Sequence, residues 1–589
     1  MTEINRTIAG LYFTIKTPSD VLDCDITPGP DADGIREFKI VISAKQPVCP
    51  APTMIRWREP MHEIHYKWNP ACYESRMLDV SNNSRHSFTS RINFAAPVIC
   101  LHKINGENNV TFALSETLYA TTLSSGISEY GYAECCVQLF CEPWPAITEY
   151  AVVLRIDRRR LPVHTCLRDC AAWWDAQIPG QSLPVTDAAR AARYCDWYPF
   201  HGKFTGQQTE RQASLAKGLG MGTFCYEAGW ADDELDYTPD ARKYSDFRKH
   251  VEAIQRLGMP FILWVAPSFL NPVSRARFAK QLMGPRDSVG KIANPQKAHL
   301  DPRYPQVRAY IIETYARLLR DYGIDGLFLD FMECMGIQPA DEPADPERDI
   351  QSVGAALDRL LRDLIESLRS IRPELLIELR QDYTGPRMLR HANILRAVDC
   401  GNCFADNRIR VLDMRLLSGS VPVHADPIMW NPQEPVESAA MQLTHTLFSV
   451  PLVSMDLEAL PPDHLAMLRS YLDFWNTHRD VILDGDLQPL EPHNAFPVVL
   501  SRTPGKLLAA AYSNAVIPVT EPAPDTLLLV NATYADHLVL DVAAELGLRT
   551  LTVHTCTGAE VQHKDVRYGA GLLRIDIPPN GRACLERIK

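Results

Sequence analysis

Several short apolar runs in the middle of this chain end on a carboxylate, and Leu327-Phe328-Leu329-Asp330 is the clearest of them. Such a run cannot be solvated surface, so the backbone holds the terminal acid rigidly. Comparable runs end on, or are followed by, Asp196-Trp197, Glu227, Trp230, Trp264, Glu378, Arg380-Gln381-Asp382, Asp399, Asn402 and His424. One Asp at a strand end is often only the cap of the next helix. Many acids and aromatics at equivalent positions are a different matter, because they converge when the strands are neighbours. Two fixed carboxylates opposed across a mouth lined with Trp, Tyr and Arg suit cleavage of a glycosidic bond. One attacks the anomeric carbon, the other protonates the departing oxygen, and the rings stack on sugar faces. Asp330 is the expected nucleophile. Asp399, placed by this reading at the end of a sixth strand, is the expected acid/base. Asp406, in the following loop, is the alternative, set second because a strand end positions a proton donor better than a loop.

Other groups invite chemistry that their spacing does not support. His424, Asp426 and His445 match no recognised metal-ligand pattern, so pocket hydrogen bonding is expected of them and no metal or other cofactor. Cys400 and Cys403 form a lone C-x-x-C with no second pair at zinc-site spacing, so the 16 cysteines read as reduced, mostly buried thiols. Arg380, Arg387, Arg408 and Arg410 are able to grip a charged substituent through paired hydrogen bonds. Arg380 is the best placed for it.

The elements that must position these groups fall into three zones. Residues 1–165 read as short strands divided by turn clusters such as Pro28-Gly29-Pro30-Asp31 and Asn105-Gly106, which favours an N-terminal antiparallel β-sandwich. A helical linker over 166–183 carries Trp173 and Trp174. From 184 to 483, short apolar runs alternate with amphipathic segments, the signature of βα units. Eight runs can be counted, beginning near Tyr194, Thr223, Phe261, Gly326, Leu375, Ala397, Pro422 and Val453. Eight such units in one zone predict a (β/α)8 barrel, whose function sits at the carboxyl ends of its strands. Residues 484–589 return to strands and predict a small C-terminal antiparallel β-sandwich.

Composition agrees with a multidomain globular protein. The 589 residues exceed what one core supports, and 46% hydrophobic with 22% charged residues excludes a disordered or fibrous chain. A net charge of −12 argues against nucleic acid and anionic membranes as partners. Neither a signal-like amino terminus nor an apolar run of membrane-spanning length is visible, so a cytoplasmic location is expected. A carbohydrate is the expected partner, and a homo-oligomer remains open.

Motifs in the barrel zone resemble glycoside hydrolase clan D, most of all the family 36 α-galactosidases and their divergent bacterial relatives. Tyr226-Glu227-Ala228-Gly229-Trp230 is similar to the family's Asp-Asp-Gly-Trp, and Gly258-Met259-Pro260-Phe261-Ile262-Leu263-Trp264 to its third strand. Leu300-Asp301-Pro302 resembles the segment before its fourth strand. Gly323-Ile324-Asp325-Gly326-Leu327-Phe328-Leu329-Asp330 resembles the strand ending on its nucleophile. Ala397-Val398-Asp399 followed by Arg408 is similar to its acid/base segment, and Pro422-Val423-His424 to its seventh strand. The resemblance implies a retaining α-glycosidase working by double displacement without a metal. Transglycosylation on the same scaffold and a non-catalytic carbohydrate-binding barrel are the alternatives. Substrate contacts are expected from the residues gathered around the barrel mouth: Asp196, Trp197, Glu227, Trp230, Trp264, Glu378, Arg380, Gln381, Asp382, Asn402, Arg408 and His424. Three departures fall on the part that reads sugar hydroxyls: Phe328 stands where the family has Lys, Ala228 where it has Asp, and Glu378-Leu379-Arg380-Gln381-Asp382-Tyr383-Thr384-Gly385-Pro386-Arg387 where it has a Cys/Gly/Arg-rich fifth loop. Plain α-galactosides are therefore expected to be poor substrates. A differently substituted sugar, an anionic one read by Arg380 included, is expected in their place.

Overall fold

The computed structural model describes residues 2–18, 21–78, 87–232, 236–284, 298–336, 338, 342, 345–380, 385–397 and 399–588. The N-terminal strands form two six-stranded sheets in which every pairing is antiparallel. Alternation drives them together. Along Leu11–Thr17, Leu11, Phe13 and Ile15 are buried while Tyr12 faces out. Their apolar faces meet over Phe13, Ile40, Trp57 and Phe112. The connecting helix, Val163–Asp175, starts earlier than the predicted linker. It packs Leu167, Cys170 and Trp174 onto Trp68 and onto Leu416 and Leu417 of the middle zone.

The middle zone is the expected barrel. Its strands are β1 (Arg193–Cys195), β2 (Thr223–Tyr226), β3 (Phe261–Val265), β4 (Gly326–Leu329), β5 (Leu376–Leu379), β6 (Ile394–Arg396), β7 (Val423–His424) and β8 (Leu452–Val453). All ladders are parallel, in the order β7-β6-β5-β4-β3-β2-β1-β8. The ring closes where Val450 N donates to Val423 O at 2.9 Å and Ala425 N to Val450 O at 3.1 Å. The crossover helices begin and end on local signals. Thr205 and Gln208 make a capping box ahead of α1 (Gly206–Gly218), and Asp246 caps α2 (Phe247–Gln255). Gly323, left-handed at φ 69°, ends α3 (Pro305–Tyr322), and Ser352 caps α4 (Val353–Ile371). After β6 comes α5 (Phe404–Arg415).

Two strands differ from expectation. β6 is Ile394–Arg396, not the run ending at Asp399, and β8 stops before Ser454. In the C-terminal region a seven-stranded and a three-stranded sheet pack together. They are not wholly antiparallel, because Lys506–Ala511 runs parallel to Thr526–Asn531 and Val516–Val519 parallel to His537–Val542. Each parallel pair is joined by a crossover instead of a hairpin.

Strand parity places the site. Cys195, Cys225, Ile262, Phe328, Leu376, Ile394 and Leu452 fill the barrel interior, while Tyr194, Phe224, Leu263, Leu327, Ile377 and Leu395 face the helices. Side chains alternate along a strand, so the next interior position toward the carboxyl end lies two residues on. Those positions are Trp197, Glu227, Trp264, Asp330, Glu378, Arg396 and Ser454. The cluster of acids, arginines and tryptophans at one end of the barrel follows from that count.

Candidate active site

An open cavity of about 280 Å³ lies at the carboxyl ends of the strands. Trp197, Tyr198, Glu227, Ala228, Trp264 and Asp330 line one part of it, and Phe331, Arg380, Arg396, Asp399, Asp426 and Pro427 the rest.

Asp330 is buried and firmly oriented. Its Oδ1 accepts from the Phe331 N–H at 2.8 Å and from Arg380 Nε at 2.8 Å, and pairs with Arg380 Nη2 at 2.7 Å. Oδ2 accepts one bond, from Trp264 Nε1 at 2.9 Å. An ionised carboxylate offers about four acceptor sites. Oδ1 is thus saturated, while Oδ2 keeps a lone pair for other use.

Arg380 joins this acid to the second one. Its Nη1 pairs with Asp399 Oδ1 at 2.7 Å, so one guanidinium spans both carboxylates. Burial opposes its charge, but Asp330 and Asp399 more than offset that and hold its pKa above the ordinary arginine value. Every nitrogen of this guanidinium faces a carboxylate. The expected grip of Arg380 on an anionic substituent is not what the geometry presents.

Asp399 lies three residues past β6 in a bend, at φ 35°, and not at the end of a strand. The correction has a clear cause, since Arg396 ends the strand and commits its side chain to the barrel interior. The loop beyond is bolted down by Asp426, whose Oδ2 accepts the N–H groups of Cys400 at 2.9 Å and Gly401 at 2.7 Å. A Cβ at Gly401 would meet Pro427 O at 2.2 Å, so only glycine fits there. Asn407, on α5, brackets Asp426 by bonding both its N–H and its carbonyl. Burial pushes the Asp426 carboxyl up to about 6, against the pull of Arg396 and of the Cys400 N–H.

Arg396 was missed by sequence reasoning. Its Nη1 binds Glu227 Oε1 at 2.8 Å and lies 3.4 Å from Glu378 Oε1. Its guanidinium lies across the Phe328 ring, 4.1 Å from the centroid. Phe328 itself is fully buried, so the cation that reaches the cavity near this point comes from β6. Glu378 lies deeper and pairs with Arg193 at 2.6 Å. A buried cation inside the short run Ile394-Leu395-Arg396 was the available signal, because burial demands carboxylate partners. Tyr198 and Phe331 carried no such signal.

Several expected contacts lie elsewhere. Asp196 has the helix-facing parity and does not line the cavity; its Oδ1 accepts the Glu227 N–H at 2.9 Å, and burial holds its pKa well above the usual carboxylate range. Trp230 is core, stacked on Phe247 at 5.5 Å with its Nε1 donating to Trp264 O. His424 points into the barrel interior, with Nε2 bonded to Ala189 O at 2.8 Å. Arg408 faces the C-terminal sheets, bonded to His445 and Ala495 O and lying over Tyr512. Asn402 is an exposed turn residue, and Asp406 sits in the first turn of α5 outside the cavity lining. Gln381 and Asp382 lie outside the described residues. Among the described residues no three His, Cys, Asp or Glu side chains are grouped to hold a metal, and no helix is long and apolar enough to cross a membrane.

No family model matches the sequence, and no curated protein does. The architecture nevertheless has clear likenesses among solved structures. The family 36 α-galactosidase AgaA from Geobacillus stearothermophilus is 13% identical with a TM-score of 0.63, covering 98% of this chain and 83% of that one. The galactosidase domain of the α-galactosidase–sucrose kinase AgaSK is 13% identical with a TM-score of 0.65, covering 98% and 82%. An α-galactosidase from Lactobacillus brevis is 12% identical with a TM-score of 0.64, covering 100% and 83%. The chain therefore has the three-part fold of the family 36 α-galactosidases, with its carboxylate cavity at the carboxyl end of the barrel.

Proposed function

We propose that this protein is a retaining α-glycosidase in which Asp330 is the nucleophile and Asp399 the acid/base. The observation that carries this is the pair of carboxylates spanned by one guanidinium, Arg380, in a cavity at the active end of a barrel. The likeness to family 36 α-galactosidases supports the same chemistry.

Asp330 attacks the anomeric carbon through Oδ2, the oxygen with a lone pair to spare, while its neighbours fix Oδ1. Asp399, protonated, gives its proton to the glycosidic oxygen, and the leaving group departs as an alcohol. The Asp399 carboxylate so formed is the partner Arg380 Nη1 already holds, which stabilises the glycosyl-enzyme state. Asp399 then takes a proton from water, and the hydroxide equivalent releases the sugar with net retention.

On specificity, we propose a neutral sugar other than plain galactose. Both cavity-lining guanidiniums are matched by carboxylates, and Ala228 removes a hydroxyl acceptor. A site that lacks a matching polar group loses discrimination for the hydroxyl it would have read. Incubation with 2-deoxy-2-fluoro-α-glycosyl fluorides of several sugars, then mass analysis of the peptide containing Asp330, tests the mechanism. A glycosyl adduct on Asp330, with the α-product formed first by NMR, is expected. A β-product and no adduct would replace the double displacement with an inverting mechanism.

A further inference from the structure

Phe331, directly after Asp330, adopts φ 54° and ψ 30°. A bulky side chain at positive φ is a genuine outlier, and such strain persists only when the surroundings over-determine it. Here they do. The Phe331 N–H is held by Asp330 Oδ1, and its carbonyl accepts from Ser268 Oγ at 2.9 Å. The turn that follows is pinned from the N-terminal sandwich. Asn93, almost fully buried, donates through Nδ2 to Met332 O at 2.6 Å and Met335 O at 3.1 Å, and Arg91 Nη2 donates to Glu333 O at 3.3 Å.

The effect is to fix one apolar ring in the wall of the cavity. Phe331 stacks on Phe269 with centroids 4.5 Å apart and planes 23° from parallel. Phe331 lines the cavity, with the Arg380 guanidinium 5.2 Å from its centroid, and Phe269, outside the lining, is 40% exposed, so the two rings make a ledge that starts beside Asp330 and reaches solvent. Neither ring carries a polar atom. The charged part of the cavity, around Glu227, Arg396 and Asp426, is where a sugar finds hydroxyl partners, which leaves the ledge to whatever is attached to that sugar.

We infer that Phe331 and Phe269 form a leaving-group subsite for a flat, apolar aglycone, of the aryl class, in preference to a second sugar. This rests on the glycosidase reading above. Aromatic contacts of this kind contribute on the order of a ten-fold preference.

The experiment uses α-glycosyl fluorides, which have no aglycone, to identify the sugar, then matched 2-naphthyl and disaccharide substrates of that sugar. In Phe269→Ala the ratio of kcat/KM for the naphthyl glycoside to that for the fluoride should fall about ten-fold, and the disaccharide ratio should not. Phe331→Gly should lose the same preference while raising Tm, because glycine tolerates the left-handed backbone. Calorimetric titration of 2-naphthol by itself gives a readout independent of catalysis: it should bind the wild type and bind Phe269→Ala about ten-fold more weakly. Equal losses on naphthyl and disaccharide substrates, or equal naphthol affinities, overturn the aryl subsite. Failure to hydrolyse any fluoride overturns the glycosidase reading instead, and naphthol binding then decides the ledge alone.

Discussion

The two carboxylates of the cavity sit at opposite extremes. The Asp330 side chain is 5% exposed and takes donors from three residues, whereas that of Asp399 is 82% exposed and has one cationic partner. One stands at the end of a strand inside the barrel, the other on a loop whose next two N–H groups are held by Asp426. On the roles proposed for them, the contrast fits what each has to do. A nucleophile needs a fixed line of attack, so its motion is best removed. A proton donor must be recharged from water and reach two positions, so contact with solvent serves it.

Breaking the rigid end should cost most. Asp330→Asn should lower kcat/KM on an activated aryl glycoside on the order of 10⁵-fold, and a smaller residue there should be partly rescued by azide. Near-normal turnover by the Asn variant would make Asp330 structural. At the exposed end the expected loss depends on the substrate. Asp399→Ala should lose about 10²–10⁴-fold on unactivated glycosides. It should lose far less on 2,4-dinitrophenyl glycosides, which need no acid, and Asp406→Ala should lack that contrast. A flat loss across leaving groups would remove Asp399 from the role.

The guanidinium that joins the two ends comes next. Arg380→Ala should cost about 10²-fold, and Arg380→Lys should not restore activity, because an ammonium lacks the fork that meets both acids. Full recovery by Lys would reduce Arg380 to a simple counter-charge.

The smallest effect sharpens the comparison through pH. The folded-state pKa of Asp426, about 6, lies above the ordinary Asp value. The native protein therefore takes up a proton, as pH falls through 6 toward about 4, that the unfolded chain does not. That uptake favours the fold, a contribution present at low pH and lost as pH rises through 6. It also weakens the acceptor that holds Cys400 and Gly401, so the Asp399 loop should loosen and activity should decline below pH 6. Asp426→Asn should lose about ten-fold at neutral pH and show no further decline from this group. A variant profile that keeps the wild-type acid limb would assign that limb to another residue.

The sequence was legible where periodicity reported on burial and illegible where direction mattered. The eight runs announced the barrel, and Leu327-Phe328-Leu329-Asp330 announced the end that carries the cavity. Trp230 lies in the turn beyond β2, where strand parity no longer applies. Asp196 stands at a strand end, yet its parity turns it toward the helices, and a one-residue error in a strand's end reverses that assignment. The sixth strand illustrates this. A strand placed on the run ending at Asp399 leaves out Arg396, the cation that pairs with Glu227. Arg408 gave no hint that it serves the packing of the C-terminal sheets, because its partners His445 and Ala495 are distant in the chain.

The contacts that pin the turn after Asp330 are not the sandwich's only hold on the barrel. Asp413, fully buried on α5, accepts from Trp68 Nε1 at 2.7 Å and pairs with Arg76. Removing the sandwich would leave a buried carboxylate without these two partners on the helix that follows the Asp399 loop, a change of several kcal/mol by general experience. The two regions then melt as a unit. A protease that nicks the sandwich, or a calorimeter that heats it, should find one cooperative transition spanning both, and a barrel expressed alone should be the less stable object although it holds both carboxylates proposed as catalytic.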